Sequence, residues 1–478
     1  MNTEEALKQV YNVSKEQNTP VYAVGGFVRD ALLGREQKKD IDFMVEGSGL
    51  AFAQAFAQHY SEEVGRLVEF PDFDTARFLF LDRNEQEVLL ELEFAGARKE
   101  EYTKGARKPA VTHTSVEEDL SRRDFTVNAM AQKVEKTGLG DIIDPFLGQK
   151  DLKARILKTP LDPDITFFDD PLRMLRAARF AAQLDFDIES ATYTAMHENR
   201  KRLSIISKER IQEELMKLLA TPVPSIGLAR LYQSKLIDEF LPEVSALAGV
   251  EEVKGYQHKD NFNHTLAVVD NIAEYSDKPL LRLAGLLHDI AKPDTKKFVQ
   301  GRGWTFDMHE HLGRKMTKEI MRRLKFSNKD IWYVSELVRW HLQPIALMDK
   351  GVTDSAVRRL IVGLQELLPD LLQLCRSDIT TGNQKKKIKR LKNYDYLDKR
   401  IIEVLETDKL RAFQSPVRGE EIMEVLGLKP GPTVGKMKKE IERAILDGEI
   451  PNEYEAARAY FDTIHELFMK DVKEWEKV

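Results

Sequence analysis

The spacing of apolar positions divides the chain into two regimes. Over about the first 150 residues, short apolar runs alternate with amphipathic stretches. Leu7, Val10 and Tyr11 recur at helical spacing and lead into VYAV, Val21 to Val24, which reads as a strand. Gly25 and Gly26 then read as a tight turn, and Phe27 to Leu33 as a helix that Gly34 ends. Ile41 to Val45 predicts a second strand, and Leu50 to His59 an apolar helix. ARFLFLD and EVLLELEF predict a hairpin around Arg83 to Glu85. From about Ile165 strand signals nearly vanish. LRMLRAARFAAQL, RIQEELMKLLA, LRLAGLLHDIA and IWYVSELVRWH repeat apolar residues about every 3.6 positions. The expectation is an α+β multidomain chain, a small mixed sheet followed by helices. Joints are expected at Pro242 to Gly255 and at Thr380 to Asn383. No internal repeat with a period of roughly 20 to 50 residues is present.

Composition narrows the class. A chain of 478 residues exceeds one ordinary core. Its 42% hydrophobic and 32% charged residues suit a globular protein rather than a disordered one. No apolar run of about 18 residues predicts a membrane span, and MNTEEALKQV lacks the basic and apolar segments of a signal peptide. The single cysteine, Cys375, excludes an internal disulfide and suits a reducing compartment. These features predict a cytoplasmic protein with no membrane association and no evident obligate protein partner. A net charge of -6 does not announce a nucleic-acid binder. Basic residues nevertheless gather at Arg122 and Arg123, Arg173 to Arg179, Lys201 to Arg210, and Lys385 to Lys392. The last run, KKKIKRLK, reads equally as a phosphate contact or a solvated helix face.

Candidate chemistry concentrates first in VGGFVRDALLGREQKKDIDFMV. Two glycines straight after a strand let the backbone approach a phosphate, with their amides at the start of a helix. Arg29 is placed to add a charge-assisted bond to a triphosphate oxygen. Asp40 and Asp42, two apart on a strand, leave one face. Paired carboxylates repel each other unless a cation joins them, and hard oxygen ligands suit Mg²⁺. Glu93, in LLELEF, is a candidate third acid on a neighbouring strand, although Glu91 shares its face. Asp170 followed by Pro171 also makes a good helix N-cap, but a cap alone does not ask for Arg173, Arg176 and Arg179 on one helix face.

These motifs carry a resemblance. Val24 to Asp30 followed by Asp40-Ile41-Asp42 resembles the signature of class II CCA-adding enzymes and bacterial poly(A) polymerases, within the polymerase-beta-like nucleotidyltransferases. SRRDFTVNAM, Ser121 to Met130, is similar to the motif that in this family binds the ribose and phosphates of the incoming nucleotide. That implies nucleotide contacts from Arg123, Asp124 and Asn128, beside Gly25, Gly26 and Arg29. DDPLRMLR, Asp169 to Arg176, resembles the family's amino-acid template, with Asp169 where glutamate is commoner. Aspartate accepts from an exocyclic amino group, and arginine donates to the neighbouring acceptor. Cytosine and adenine both present that pair of groups, whereas uracil and guanine would leave buried groups unpaired. The resemblance extends through SKERI, Ser207 to Ile211, and through GLKPGPTVG and LDGEIPN near the C-terminus.

After residue 255, the contexts of His264, His288-Asp289, His309, His341 and Asp378 resemble the HD phosphohydrolase superfamily. Such a set, drawn from several helices, suits a divalent transition metal inside a bundle and hydrolysis of a phosphoester. His264, His288, Asp289 and Asp378 are the expected primary ligands. His309 and His341 are expected to hold a second metal or a phosphate, and His311 is read as structural.

The resemblance implies a head at residues 1–150, a helical neck recognising the base at 151–250, an HD domain at 251–383, and a tRNA-binding tail at 384–478. It implies a tRNA nucleotidyltransferase using ATP, CTP and Mg²⁺, with Asp40, Asp42 and Glu93 as catalytic acids. A poly(A) polymerase, or an enzyme adding only A or only CC, shares the head motifs. A phosphohydrolase with an inactive, RNA-binding transferase half is the alternative from another class.

Overall fold

Alternation of side chains along extended backbone builds the first half of the molecule. In the strand Asp40–Val45, Ile41, Phe43 and Val45 are fully buried on one face, while Asp40, Asp42 and Met44 take the other. Phe78, Phe80, Leu92 and Phe94 on two neighbouring strands bury the same face as Phe43. The helices Thr3–Glu16 and Gly49–Ala57 cover it with Leu7, Val10, Phe52 and Phe56. Phe56 meets Phe78 and Phe94 at 5.3 Å between ring centroids. Each such phenylalanine withdraws enough apolar surface to contribute about 2 to 3 kcal/mol, so the register is locked: a one-residue slip would turn the aromatics outward.

In this computed structural model the described residues are 2–35, 39–60, 64–82, 87–101, 110–249, 252–253, 256–257, 260–348, 353–408, 415–470 and 472–477. The expected turn around Arg83 to Glu85 lies outside them. The strands are β1 (Val21–Val24), β2 (Asp40–Val45), β3 (Gly65–Phe70), β4 (Thr75–Leu81), β5 (Val88–Gly96), β6 (Arg98–Glu101), β7 (Ala110–His113), β8 (Ala131–Glu135) and β9 (Gly138–Ile143). Seven form one sheet in the order β3-β4-β5-β2-β1-β8-β9, and β6 pairs with β7. Only β2 and β5 run parallel within the large sheet. β3, β8 and β9 add three strands to those expected. Their residues are half-exposed and partly polar, which leaves little hydrophobic signal to read.

The chain divides into two compact units, residues 1–245 and 246–478. The boundary falls at the first expected joint; the finer divisions expected at 150 and 383 lie inside the units. In the first unit, the helix Leu172–Leu184 packs against Lys208–Leu219 and Pro224–Gln233. Beyond residue 165 the described strands are few and short, as the sequence expects. Three two-stranded ribbons occur, at Ile156–Leu157 with Asp187–Ile188, Glu252–Val253 with Tyr256–Gln257, and Lys297–Val299 with Gly303–Thr305. They are too short for a period-two pattern to register.

In the second unit the helices Asn261–Ala273, Pro279–Leu287, His309–Arg323, Asn328–Trp340 and Leu368–Ser377 form a bundle. The long helix Gln384–Asp408 follows. The helices Pro432–Leu446 and Tyr454–Met469 then share a separate core around Met437, Ile441 and Phe461. Among the described residues, no helix is long and apolar enough to cross a membrane.

Candidate active sites

The glycine turn is built as the sequence expects. Gly25 leaves β1 with φ at +68°, and a Cβ there would stand 3.1 Å from Arg123 Nη1. The positive φ strains any side chain at Gly25, and a Cβ there would also require Arg123 to shift by a few tenths of an ångström. Gly26 opens the helix Gly26–Leu32, where a Cβ would meet only the Arg29 side chain, at 3.5 Å. The turn borders a cavity of about 480 Å³, which Asp42, Arg123, Asp170, Arg173 and Arg210 also line. Guanidinium groups outnumber carboxylates around it, as a polyphosphate requires.

Behind the cavity runs a buried ladder of paired charges. Arg29 is 2% exposed; its Nε donates to Asp30 at 2.8 Å and its Nη1 to Asn128 Oδ1 at 2.6 Å. Asn128 Nδ2 donates to Asp124 Oδ1 at 3.0 Å, and Arg176 Nε to Asp124 Oδ2 at 2.8 Å. Glu214, also buried, accepts from Arg179 Nε at 2.7 Å and lies 3.8 Å from Arg176 Nη1. Phe180 stacks beneath three of these guanidiniums, with Arg179 nearest, at 4.1 Å from the ring centroid. Burial would raise the Asp124 pKa, but Arg176 and the Asn128 amide outweigh it and hold the carboxyl at about 2. Arg29, Arg176 and Arg179, expected at the nucleotide, therefore line the cavity while already committed to protein carboxylates or amide. Arg173 carries a lighter commitment, one 3.3 Å bond to the Thr166 carbonyl.

Asp170 combines two duties. Its Oδ1 accepts from the Leu172 amide at 3.1 Å, capping the helix as expected, and its Oδ2 accepts from Arg210 at 2.8 Å. Arg210, forty positions away in sequence, is the partner that sequence reasoning missed. Glu214 is another. The signal for both was present in SKERIQEEL, where they stand four positions apart and so share one helix face.

The acids stand in rows across the sheet. Asp42 pairs in register with Glu93, and Asp40 with Glu91. The next strand brings Arg77 opposite Glu93. A second cavity, of about 410 Å³, is lined by Asp40, Asp42, Arg77, Glu91 and Glu93; Asp42 borders both cavities. The Asp42 side chain opens to the cavities yet is hemmed in by protein. Desolvation first, then the Glu93 charge, push its pKa up to about 6. Such a carboxylate set has the oxygen chemistry for a hard divalent cation. The Glu93 carboxylate, however, is turned to Arg77, at 2.7 Å from its Nε. Asp40, Asp42 and Glu93 do not converge within 4.8 Å of one another.

In the second unit convergence is complete. His264, His288 and Asp378 bring ligand atoms within 4.8 Å of one another, and so do Asp289, His309 and His341. Asp289 joins the two groups: Oδ2 lies 3.2 Å from His288 Nε2, and Oδ1 lies 3.3 Å from His309 Nε2. The Nδ1 atoms of His288, His309 and His341 each lie 2.7 Å from a backbone carbonyl, of Gly285, Phe306 and Val338. A carbonyl only accepts, so each Nδ1 carries a proton and each Nε2 is presented to the centre. His288 Nε2 is buried and makes no well-formed hydrogen bond. These donors fit divalent transition metals. Burial opposes a charge on His288, but Asp289 and Asp378 push its pKa up to about 10; burial and the His288 charge hold His341 down to about 4. Lys292 Nζ, 2.5 Å from Asp289 Oδ2, is a further neighbour the sequence reading passed over. It lies one turn beyond Asp289 in HDIAKP. His311 lies outside both groups.

Three families match in succession: the poly A polymerase head domain at residues 21–158, the probable RNA and SrmB-binding site of polymerase A at 185–247, and the HD domain at 261–379. The CC-adding tRNA nucleotidyltransferase of Thermus thermophilus is 31% identical over 451 residues, covering 92% of each chain. The chain belongs to the tRNA nucleotidyltransferase family. Other tRNA nucleotidyltransferase relatives include the A-adding enzyme of Deinococcus radiodurans, 33% identical over 72% of this chain and 78% of its own. The Multifunctional CCA protein of Burkholderia cenocepacia is 33% identical over 75% of this chain and 84% of its own. The tRNA nucleotidyltransferase fold is shared with the Bacillus stearothermophilus CCA-adding enzyme in complex with CTP, at a TM-score of 0.67 and 22% identity over 99% of this chain and 100% of that one.

Proposed function

We propose that this protein adds the 3′-terminal CCA of tRNA from CTP and ATP with Mg²⁺, without a nucleic-acid template. The observation that carries the reading is the single cavity shared by the glycine turn, Asp42, an arginine-rich wall and the pair Asp170 and Arg173. Relatives named for A, for CC and for multifunctional CCA addition support the same chemistry.

In the proposed reaction the terminal RNA oxygen attacks the α-phosphorus of the bound nucleotide. One P–O bond forms, the bond to the β-phosphate oxygen breaks, pyrophosphate leaves, and the hydroxyl proton passes to solvent. Gly25 and Gly26 admit the triphosphate, and Arg123 offers positive charge beside it. Asp170 accepts from the exocyclic amino group while Arg173 donates to the adjacent acceptor. Asp40, Asp42 and Glu93 are the residues to hold divalent cations, which supply charge neutralisation at the phosphates. The exposed lysines 385, 386, 389 and 392 on the helix Gln384–Asp408 suit an RNA backbone.

We assign a second, hydrolytic activity on phosphoesters to the HD centre, with 2′,3′-cyclic phosphates and 2′-phosphates as the substrates to test. Asp289, shared between the two ligand groups, supports this reading. Incubating the protein with tRNA lacking its last three nucleotides, with ATP, CTP or both, and sequencing the 3′ ends tests the transferase reading. Ordered addition of CC and then A, stopping there, is expected. A long A tail, A alone or CC alone would change the product assigned. No addition to any RNA would overturn the reading.

A further inference from the structure

Across three adjacent strands, Arg77, Glu93 and Asp42 stand side by side in register on the face opposite the aromatic core. Arg77 Nε donates to Glu93 Oε2 at 2.7 Å, and its Nη1 lies 3.2 Å from Glu91 Oε1. Its guanidinium also sits 5.7 Å from the Phe70 ring centroid, which limits where it can swing. One cation thus ties down a carboxylate in each acidic row: Glu93 opposite Asp42 and Glu91 opposite Asp40. Glu93 shares a register position with Asp42 while its carboxylate is bonded to Arg77, and Asp40, Asp42 and Glu93 are not gathered as one set of three ligands.

We infer that Arg77 is an internal counter-ion that competes with the divalent cation for Glu93, and so makes metal capture depend on the incoming nucleotide. The inference rests on the proposed reading of Asp40, Asp42 and Glu93 as the metal-holding acids. Without nucleotide, a cation entering at Asp42 meets the Arg77 charge nearby and finds Glu93 already paired. Repulsion between a guanidinium and a divalent ion weakens binding by on the order of tenfold, even with water-like screening. A triphosphate brings its own negative charge and oxygen ligands, and these overcome the competition. Arg77 touches neither the base nor the reacting phosphate in this account. It is a positioning residue for the third carboxylate.

The test is titration of the full chain with Mn²⁺, followed by electron paramagnetic resonance. The background carries His288→Ala and Asp289→Ala, so that the HD centre does not contribute. Arg77→Met, which keeps the stem against Phe70, is expected to bind Mn²⁺ about tenfold more tightly without nucleotide. The tightening that CTP produces should shrink by the same factor. The Mg²⁺ concentration for half-maximal addition should fall with it, with kcat changing less. Arg77→Lys keeps the charge and should stay near the parent affinity. Unchanged or weaker Mn²⁺ binding in folded Arg77→Met, while Asp42→Ala abolishes that binding, overturns the inference alone. If Asp42→Ala leaves Mn²⁺ binding intact, the reading of the acids as the metal site fails first.

Discussion

His309 and His341, from different helices, bring their Nε2 atoms to 3.3 Å inside a buried pocket. Each Nδ1 is committed to a backbone carbonyl. Two neutral imidazoles arranged so would point lone pairs at each other, and a cation between them removes the conflict. The protein is expected to hold two divalent ions per chain in the HD centre, and His341→Ala one. Elemental analysis of desalted protein reads the stoichiometry. Chelation should cost the native state about 3 kcal/mol where free metal stood near a hundred times its dissociation constant, lowering Tm by several degrees. A melting curve indifferent to chelator would count against this arrangement.

The raised pKa of Asp42, at about 6, carries a sign that can be measured. Its folded value lies above the unfolded one, so the folded state favours the protonated form. The charged form is progressively penalised as pH rises from about 4 through 6, and the penalty is complete above that. In chelator, Asp42→Asn should therefore melt higher than the parent at pH 7.5, with the difference closing by pH 4.5. Nucleotide addition by the same variant should be abolished.

Asp124 behaves in the opposite sense. Held at about 2 against an ordinary 3.8, it contributes roughly 2 kcal/mol of stability above pH 4. That contribution fades as pH falls through the folded value, with about 1 kcal/mol gone by pH 3. Denaturant titrations of the parent and Asp124→Asn should differ most near pH 6 and converge in acid. A gap that stayed constant would remove the Arg176 pairing as its cause.

Glu214 neutralises Arg179 and helps to neutralise Arg176 in the interior. Glu214→Ala leaves buried guanidinium charge unpaired, which typically costs about 3 to 5 kcal/mol. Urea unfolding should show a loss of that order, larger than for Glu213→Ala, one residue away. Equal losses would mean that the ladder contributes little.

Asp170 and Arg210 test base choice. Asp170→Ala removes the acceptor proposed for the amino group, and the ratio of C or A to U and G incorporation should fall by about tenfold or more. Arg210→Met frees one carboxylate oxygen and should change the ratio of C to A while addition continues. Competition between pairs of nucleoside triphosphates on one tRNA primer gives both ratios. Unchanged selection in folded Asp170→Ala would remove the template role.

Some of this was written locally. The turn at Gly25, the acids on one face of β2 and the cap at Asp170 all follow from neighbouring residues, because strand period, glycine freedom and capping chemistry act over a few positions. The histidine series likewise declared its donors in sequence order. What each side chain does with its charge could not be read that way. Arg29, Arg176 and Arg179 looked like cavity cations of one kind, but Asp30, Asn128, Asp124 and Glu214 claim them through packing between distant segments. Glu93 looked like a third partner of Asp42, and its backbone is one; the strand carrying Arg77 decides where its carboxylate points. Donor types and their faces belong to local backbone geometry and so to the sequence. Partner choice among buried charges is a contest between groups far apart in the chain, and only the tertiary fold brings the contestants together.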